Sequence, residues 1–155
     1  MVAVRGSLGS LTALGRTAEK AKQRQAELWP VLAWEPPGGD QAARRFPAAA
    51  AVVPEWERLA RERLVGALCE VFGGMDTGLP GQALVVRGAP GSVLVRMAGR
   101  KDDILVVGNG RRGRVHRALS PSVGRYCLAH APCPVLAVPP SPLHAALAST
   151  HRRNT

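Results

Sequence analysis

Apolar residues fall in short unbroken blocks, separated by segments where they recur every three or four positions. Val2-Ala3-Val4 is the first block, followed by the small-residue turn Arg5 to Ser10. Leu11, Leu14, Ala18, Ala21 and Gln25 then recur with charges between them, which predicts an amphipathic helix capped by Ser7 or Ser10. In the run Leu28 to Trp34, Pro30 has no N–H for a ladder, so it belongs at the start of a strand Val31–Trp34. Glu35 to Pro54, with Pro36-Pro37-Gly38-Gly39, Pro47 and an alanine run, is expected to be a long surface loop. Trp56, Leu59, Ala60, Leu64, Ala67, Leu68 and Val71 mark a second helix, stopped by Gly73-Gly74.

Ala83 to Val86 reads as a third strand and Pro90 to Ala98 as a short helix. Asp103 to Val107 is apolar without alternation, as in a parallel strand covered on both faces. A Gly/Arg loop, Gly108 to Leu119, leads to Ser120-Pro121, an N-cap followed by proline at the first helical position. Val123, Tyr126, Cys127 and Leu128 form the buried side of that last helix, Pro132-Cys133-Pro134 ends it, and Val135 to Val138 is a fifth strand. The alternation of strand and helix predicts a single α/β domain over residues 1–140. It is an open parallel sheet with helices on both faces and right-handed crossovers. Residues 141–155 are expected to form a flexible C-terminal tail.

At 155 residues the chain suits one domain that can bury a core without disulfides or metal. No apolar run reaches the roughly 18 to 20 residues a bilayer span needs, so no membrane partner is expected. With 21 Lys+Arg against 11 Asp+Glu, the formal charge is +10, carried mostly by arginine, and it attracts anions. Cys69, Cys127 and Cys133 form no CxxC pair, and an odd count without a secretory signal fits reduced thiols and a cytoplasmic location. Cys127, His130 and Cys133 stand three apart, but Pro132 breaks the helix between them and no fourth ligand follows, so no metal site is assigned. His116 has no carboxylate or nucleophile at a recognisable spacing, and no catalytic residue is assigned.

The segment from Asp103-Ile104-Leu105-Val106-Val107-Gly108 to His130-Ala131-Pro132-Cys133-Pro134-Val135-Leu136-Ala137-Val138 resembles the C-terminal signature of the universal stress protein family. Val31 to Pro37 and Val86-Arg87-Gly88-Ala89-Pro90 resemble the family's second strand with its exit and its third strand with the proline-capped helix after it. The resemblance implies a five-stranded sheet in order 3-2-1-4-5. It also implies a homodimer joined through the last strand, Val135, Leu136, Ala137 and Val138. Left unpaired, those residues are an exposed apolar edge.

Many members of that family bind ATP through a loop G-x-x-G-x9-G-[ST]. A frame starting at Gly108 puts Arg111 and Pro121 on the second and third glycines and Ser122 on the hydroxyl. The family's first strand commonly ends in an aspartate that contacts the nucleotide; Arg5 stands there. The candidate nucleotide-contacting residues are therefore Arg5, Val31, Gly108, Asn109, Gly110, Arg111, Gly113, Pro121, Ser122 and Val123. Such loops work because bare backbone N–H groups approach phosphate oxygens at a helix N-terminus. Pro121 has no N–H, Arg111 adds a bulky side chain, and Arg5 cannot accept a hydrogen bond as a carboxylate does. Against this, Arg111, Arg112, Arg114 and Arg117 surround the loop, and guanidinium groups bind phosphate well.

The leading expectation is a non-enzymatic stress-response or regulatory module with a degenerate adenine-nucleotide cleft. The alternatives are a working ATP binder, with or without slow hydrolysis, and an anion- or nucleic-acid-binding module driven by charge. No certain cofactor is implied, with ATP admitted by the resemblance. Nucleic acid is the less favoured partner, because no aromatic stacking platform or recognition helix accompanies the arginines.

Overall fold

The computed structural model describes residues 1–108, 123–139 and 141. Its elements run β1 (Val2–Ala3), α1 (Leu8–Arg24), β2 (Pro30–Trp34), α2 (Gly39–Arg45), α3 (Pro47–Ala51), α4 (Val53–Phe72), β3 (Leu84–Arg87), α5 (Pro90–Met97), β4 (Leu105–Gly108), α6 (Val123–His130) and β5 (Val135–Val138). The five strands form one sheet in the order β3-β2-β1-β4-β5, and every pairing is parallel. This is the α/β architecture expected from the alternation of elements, with the strand order that the family resemblance implies.

Strand parity divides the core in two. Val2, Val4, Leu32, Trp34, Val106 and Val138 pack with Leu11, Leu14, Leu64 and Leu68 of α1 and α4. Ala3, Val31, Leu105 and Val107 face the other way, onto Leu94 of α5 and Cys127 of α6, with Cys133 beside them. The α1 and α4 faces are rich in alanine (Ala13, Ala18, Ala21, Ala60, Ala67), which lets the helices lie close to the sheet and to each other. Local signals set the ends. Ser7 caps α1 with its side chain on the Ser10 N–H, and Gly73, at φ +75°, closes α4 in the left-handed conformation glycine favours.

Three sequence expectations are corrected. Leu128, expected on the buried side of the last helix, is 60% exposed. Glu35 to Pro54 is not a continuous loop, because it contains α2 and α3. Pro47 starts α3 at its first turn, where a missing N–H has no consequence, and the alanines have high helix propensity. Strand β4 begins at Leu105, not Asp103, because the Asp103 carboxylate accepts the Arg100 N–H at 3.1 Å and closes a turn there. The expected loop Gly108 to Leu119, its Ser120-Pro121 cap and the tail beyond Ser141 lie outside the described residues, Gly108 and Ser141 themselves excepted.

Candidate nucleotide crevice

In a parallel sheet, a crevice opens beyond the carboxyl ends of the strands where the order reverses, here between β1 and β4. The β1 side is built by a serine knot. Ser10, only 3% exposed, accepts the N–H groups of Arg5 (3.2 Å) and Ser7 (3.1 Å) on its Oγ and donates to the Ser7 carbonyl at 2.8 Å. Gly6, at φ +72°, makes the tight exit from β1 possible. Replacing Ser10 by alanine strands two N–H groups, so Ser10→Ala is expected to lower stability by about 1 kcal/mol, read as a shift in the urea midpoint.

The β4 side is bare main chain. A Cβ on Gly108 would lie 2.6 Å from the Gly9 carbonyl oxygen and 2.8 Å from the Ser10 nitrogen. The last residue of β4 therefore rests directly on the first turn of α1, a closeness that only glycine allows. That first turn contains no acidic residue of its own to offset the positive end of the helix dipole. Arg5 is exposed beside it. Arginine is a donor only, and the amides of a first turn are donors as well. This side of the crevice thus suits acceptor-rich, anionic ligand groups.

The structure brings Arg5 and Gly108 to the two strand exits. Val31 is fully buried in the core, and its carbonyl accepts the Val4 N–H at 2.8 Å, so its side chain has no surface to offer a ligand. Val123, half-buried, opens α6 against the α5 side of the core. Asn109, Gly110, Arg111, Gly113, Pro121 and Ser122, and with them Arg112, Arg114, His116 and Arg117, lie outside the described residues.

Beyond β2 and β3 the structure adds a feature the sequence did not signal. The Arg87 Nε donates to Asp40 Oδ1 at 2.7 Å, and its guanidinium lies 5.9 Å from the Trp34 ring centroid. The pair ties α2 across the strand ends; 47 positions separate the partners, so no local spacing could reveal it. Trp34 itself packs at the end of β2 against the core.

The candidate chemical residues elsewhere are absorbed into structure. The Cys127 thiol is pushed up, first by burial and then by neighbouring Cys133; both are buried and Cys69 is exposed. His130 stacks on Tyr126 with centroids 4.2 Å apart, its Nδ1 being 2.9 Å from the Tyr126 carbonyl oxygen. Among the described residues no three His, Cys, Asp or Glu side chains are grouped to hold a metal. No described helix is long and apolar enough to cross a membrane.

Comparison with known proteins places this geometry. The sequence model of the universal stress protein family matches residues 1–139. No curated protein matches the chain. Among solved structures, a universal stress protein in complex with cAMP is 29% identical over 90% of this chain and 96% of its own, with a TM-score of 0.54. Universal stress protein UspA from Lactobacillus plantarum is 18% identical over 88% and 95%, with a TM-score of 0.67. The universal stress protein from Archaeoglobus fulgidus in complex with dAMP is 20% identical over 88% and 94%, with a TM-score of 0.51. With the family's match running from β1 through β5 and its strand order reproduced, this chain belongs to the universal stress protein family.

Proposed function

We propose that the chain is a non-enzymatic regulatory module of the cytoplasmic stress response, working as a homodimer. Its crevice keeps a weak, charge-driven attraction for adenine nucleotides in place of a tight triphosphate cradle. The observation that carries this reading is Arg5 at the β1 exit, above an α1 first turn without a carboxylate. The Arg5 guanidinium and the positive end of α1 on the described side of the crevice support attraction of phosphate, and no acid–base pair or activated nucleophile is assigned among the described residues. Free Cys69, Cys127 and Cys133 support the reducing compartment. Incubation with ATP should give turnover at background; hydrolysis that exceeds background and disappears on Arg5→Ala would sink the non-enzymatic reading.

A second reading, a working nucleotide binder, is favoured by the similar structure solved with cAMP. Titration at two ionic strengths separates the two, because attraction by exposed charge weakens with salt.

The dimer is supported by β5 standing at the sheet edge with Leu136 51% exposed. The Leu105 N–H donates to the Pro134 carbonyl at 3.0 Å, and Val106 lies opposite Leu136. By the alternation of a parallel ladder, Leu136 then turns its N–H toward β4, while Val135 and Ala137 turn theirs outward. Ala137→Pro is the clean test, since it removes an outward donor and leaves the β4 pairing intact. It is expected to convert dimer to folded monomer in sedimentation velocity; an unchanged dimer would refute pairing through this edge.

A further inference from the structure

We propose that the α2–α3 corner is a peripheral docking surface for an anionic lipid bilayer. Helix α3 buries none of its residues, although every one of them is apolar (Pro47 to Ala51). Phe46, in extended conformation between the two helices, is 61% exposed, and Val52 at the far end of α3 is 44% exposed. From Phe46 to Pro54 no side chain carries a polar atom, and Arg44 and Arg45 stand exposed in the last turn of α2. No carboxylate occurs between Gln41 and Pro54.

The corner is held in place. The Phe46 N–H donates to the Ala42 carbonyl at 3.0 Å, and the Phe46 carbonyl accepts from Ala49 (3.0 Å) and Ala50 (3.1 Å). Behind it, Ala43 is buried and Asp40 is tied to Arg87. The fold thus presents an aromatic side chain and an apolar strip at a fixed position, with two arginines next to them.

Charge selects the occupant. A strip with Arg44 and Arg45 at one end, and at the other Glu55 already paired with Arg58, on a chain of net charge +10, complements a negative surface. The lack of any side-chain hydrogen-bonding group along the strip favours lipid over protein, because protein interfaces carry a hydrogen bond every 100–200 Å² or so. A bilayer needs only shallow apolar insertion beside basic side chains that reach the headgroups. That no described helix is long and apolar enough to span a bilayer concerns crossing a membrane, not lying against one.

The test is co-sedimentation of the full chain with vesicles of phosphatidylcholine alone and of phosphatidylcholine mixed with phosphatidylglycerol. Binding to the mixed vesicles is expected, with little to the neutral ones. Phe46→Ser should weaken it about tenfold, and Arg44→Gln with Arg45→Gln about tenfold or more. All three side chains are exposed, so both variants should keep the parent's circular dichroism and melting temperature. Failure to bind the mixed vesicles would overturn the proposal. So would a Phe46→Ser variant that binds as tightly as the parent, since charge alone would then explain the attraction. Capture by soluble polyglutamate with the same Phe46 dependence would point to an acidic protein and would also overturn it.

Discussion

Gly81→Ala is expected to destabilise the protein by about 3–5 kcal/mol, the largest effect expected from adding a methyl group at any described glycine. Gly81 has φ +128°, a conformation in which an L side chain is strained. Its added Cβ would lie 2.0 Å from the Leu28 carbonyl oxygen, 2.7 Å from the carbonyl carbon and 3.0 Å from the nitrogen. All three are main-chain atoms, so no rotamer change relieves the clash. The Leu28 N–H donates to the Pro80 carbonyl at 2.7 Å, and the Leu28 side chain is 1% exposed. The contact therefore joins the approach to β3 to the approach to β2 and sets how the two strands enter the sheet. Gly78→Ala is the control, because Gly78 also has positive φ (+65°) but no atom within 4 Å of its added Cβ. It should cost about 1 kcal/mol, from backbone strain alone. Urea unfolding of both variants checks the difference; equal losses would show that the Leu28 contact is not what constrains Gly81.

Gly108→Ala is expected to cost about 2–3 kcal/mol and to disturb the crevice as well. Here the backbone clash is with Gly9 and Ser10, inside the capped first turn of α1. That turn can yield only by backing away from β4 or by loosening the Ser7–Ser10 cap. Both responses change the mouth of the crevice, whereas a loss of stability elsewhere in the core does not. Urea unfolding gives the stability loss, and the shifts of the Arg5, Ser7 and Gly9 amides in a nitrogen–proton correlation spectrum locate the disturbance. A stable variant with unmoved amides would mean that β4 and α1 do not meet as closely as described.

How much of this was readable in the sequence differs from element to element. The spacing of Leu11, Leu14, Ala18 and Ala21 marks one buried helix face, and the short run Leu105-Val106-Val107, mostly β-branched and ended by Gly108, fits a strand covered on both faces. The strand order came from resemblance, as local patterns do not say which strands are neighbours. The α2 and α3 helices were missed because proline was read as a breaker, whereas Pro47 stands at a helix start. Glycine was ambiguous in the same way. The sequence does not distinguish Gly78, which needs only its φ, from Gly108, which needs room for another backbone. Arg5 and Gly108 were legible as the residues at the first and fourth strand exits. Val31 was not, because a strand residue beside a crevice and one in the core look the same in a short apolar run.

Under the proposed function, nucleotide is drawn to this crevice by charge and not gripped by a phosphate loop. Isothermal titration of the full chain with ATP and with cAMP, in about 0.02 M and about 0.15 M salt, tests it most directly. The predicted result is binding no tighter than about 0.1 mM at the higher salt, strengthening several-fold at the lower and weakened by Arg5→Ala. Affinity of about 1 μM or better, the same at both ionic strengths and indifferent to Arg5, would contradict it.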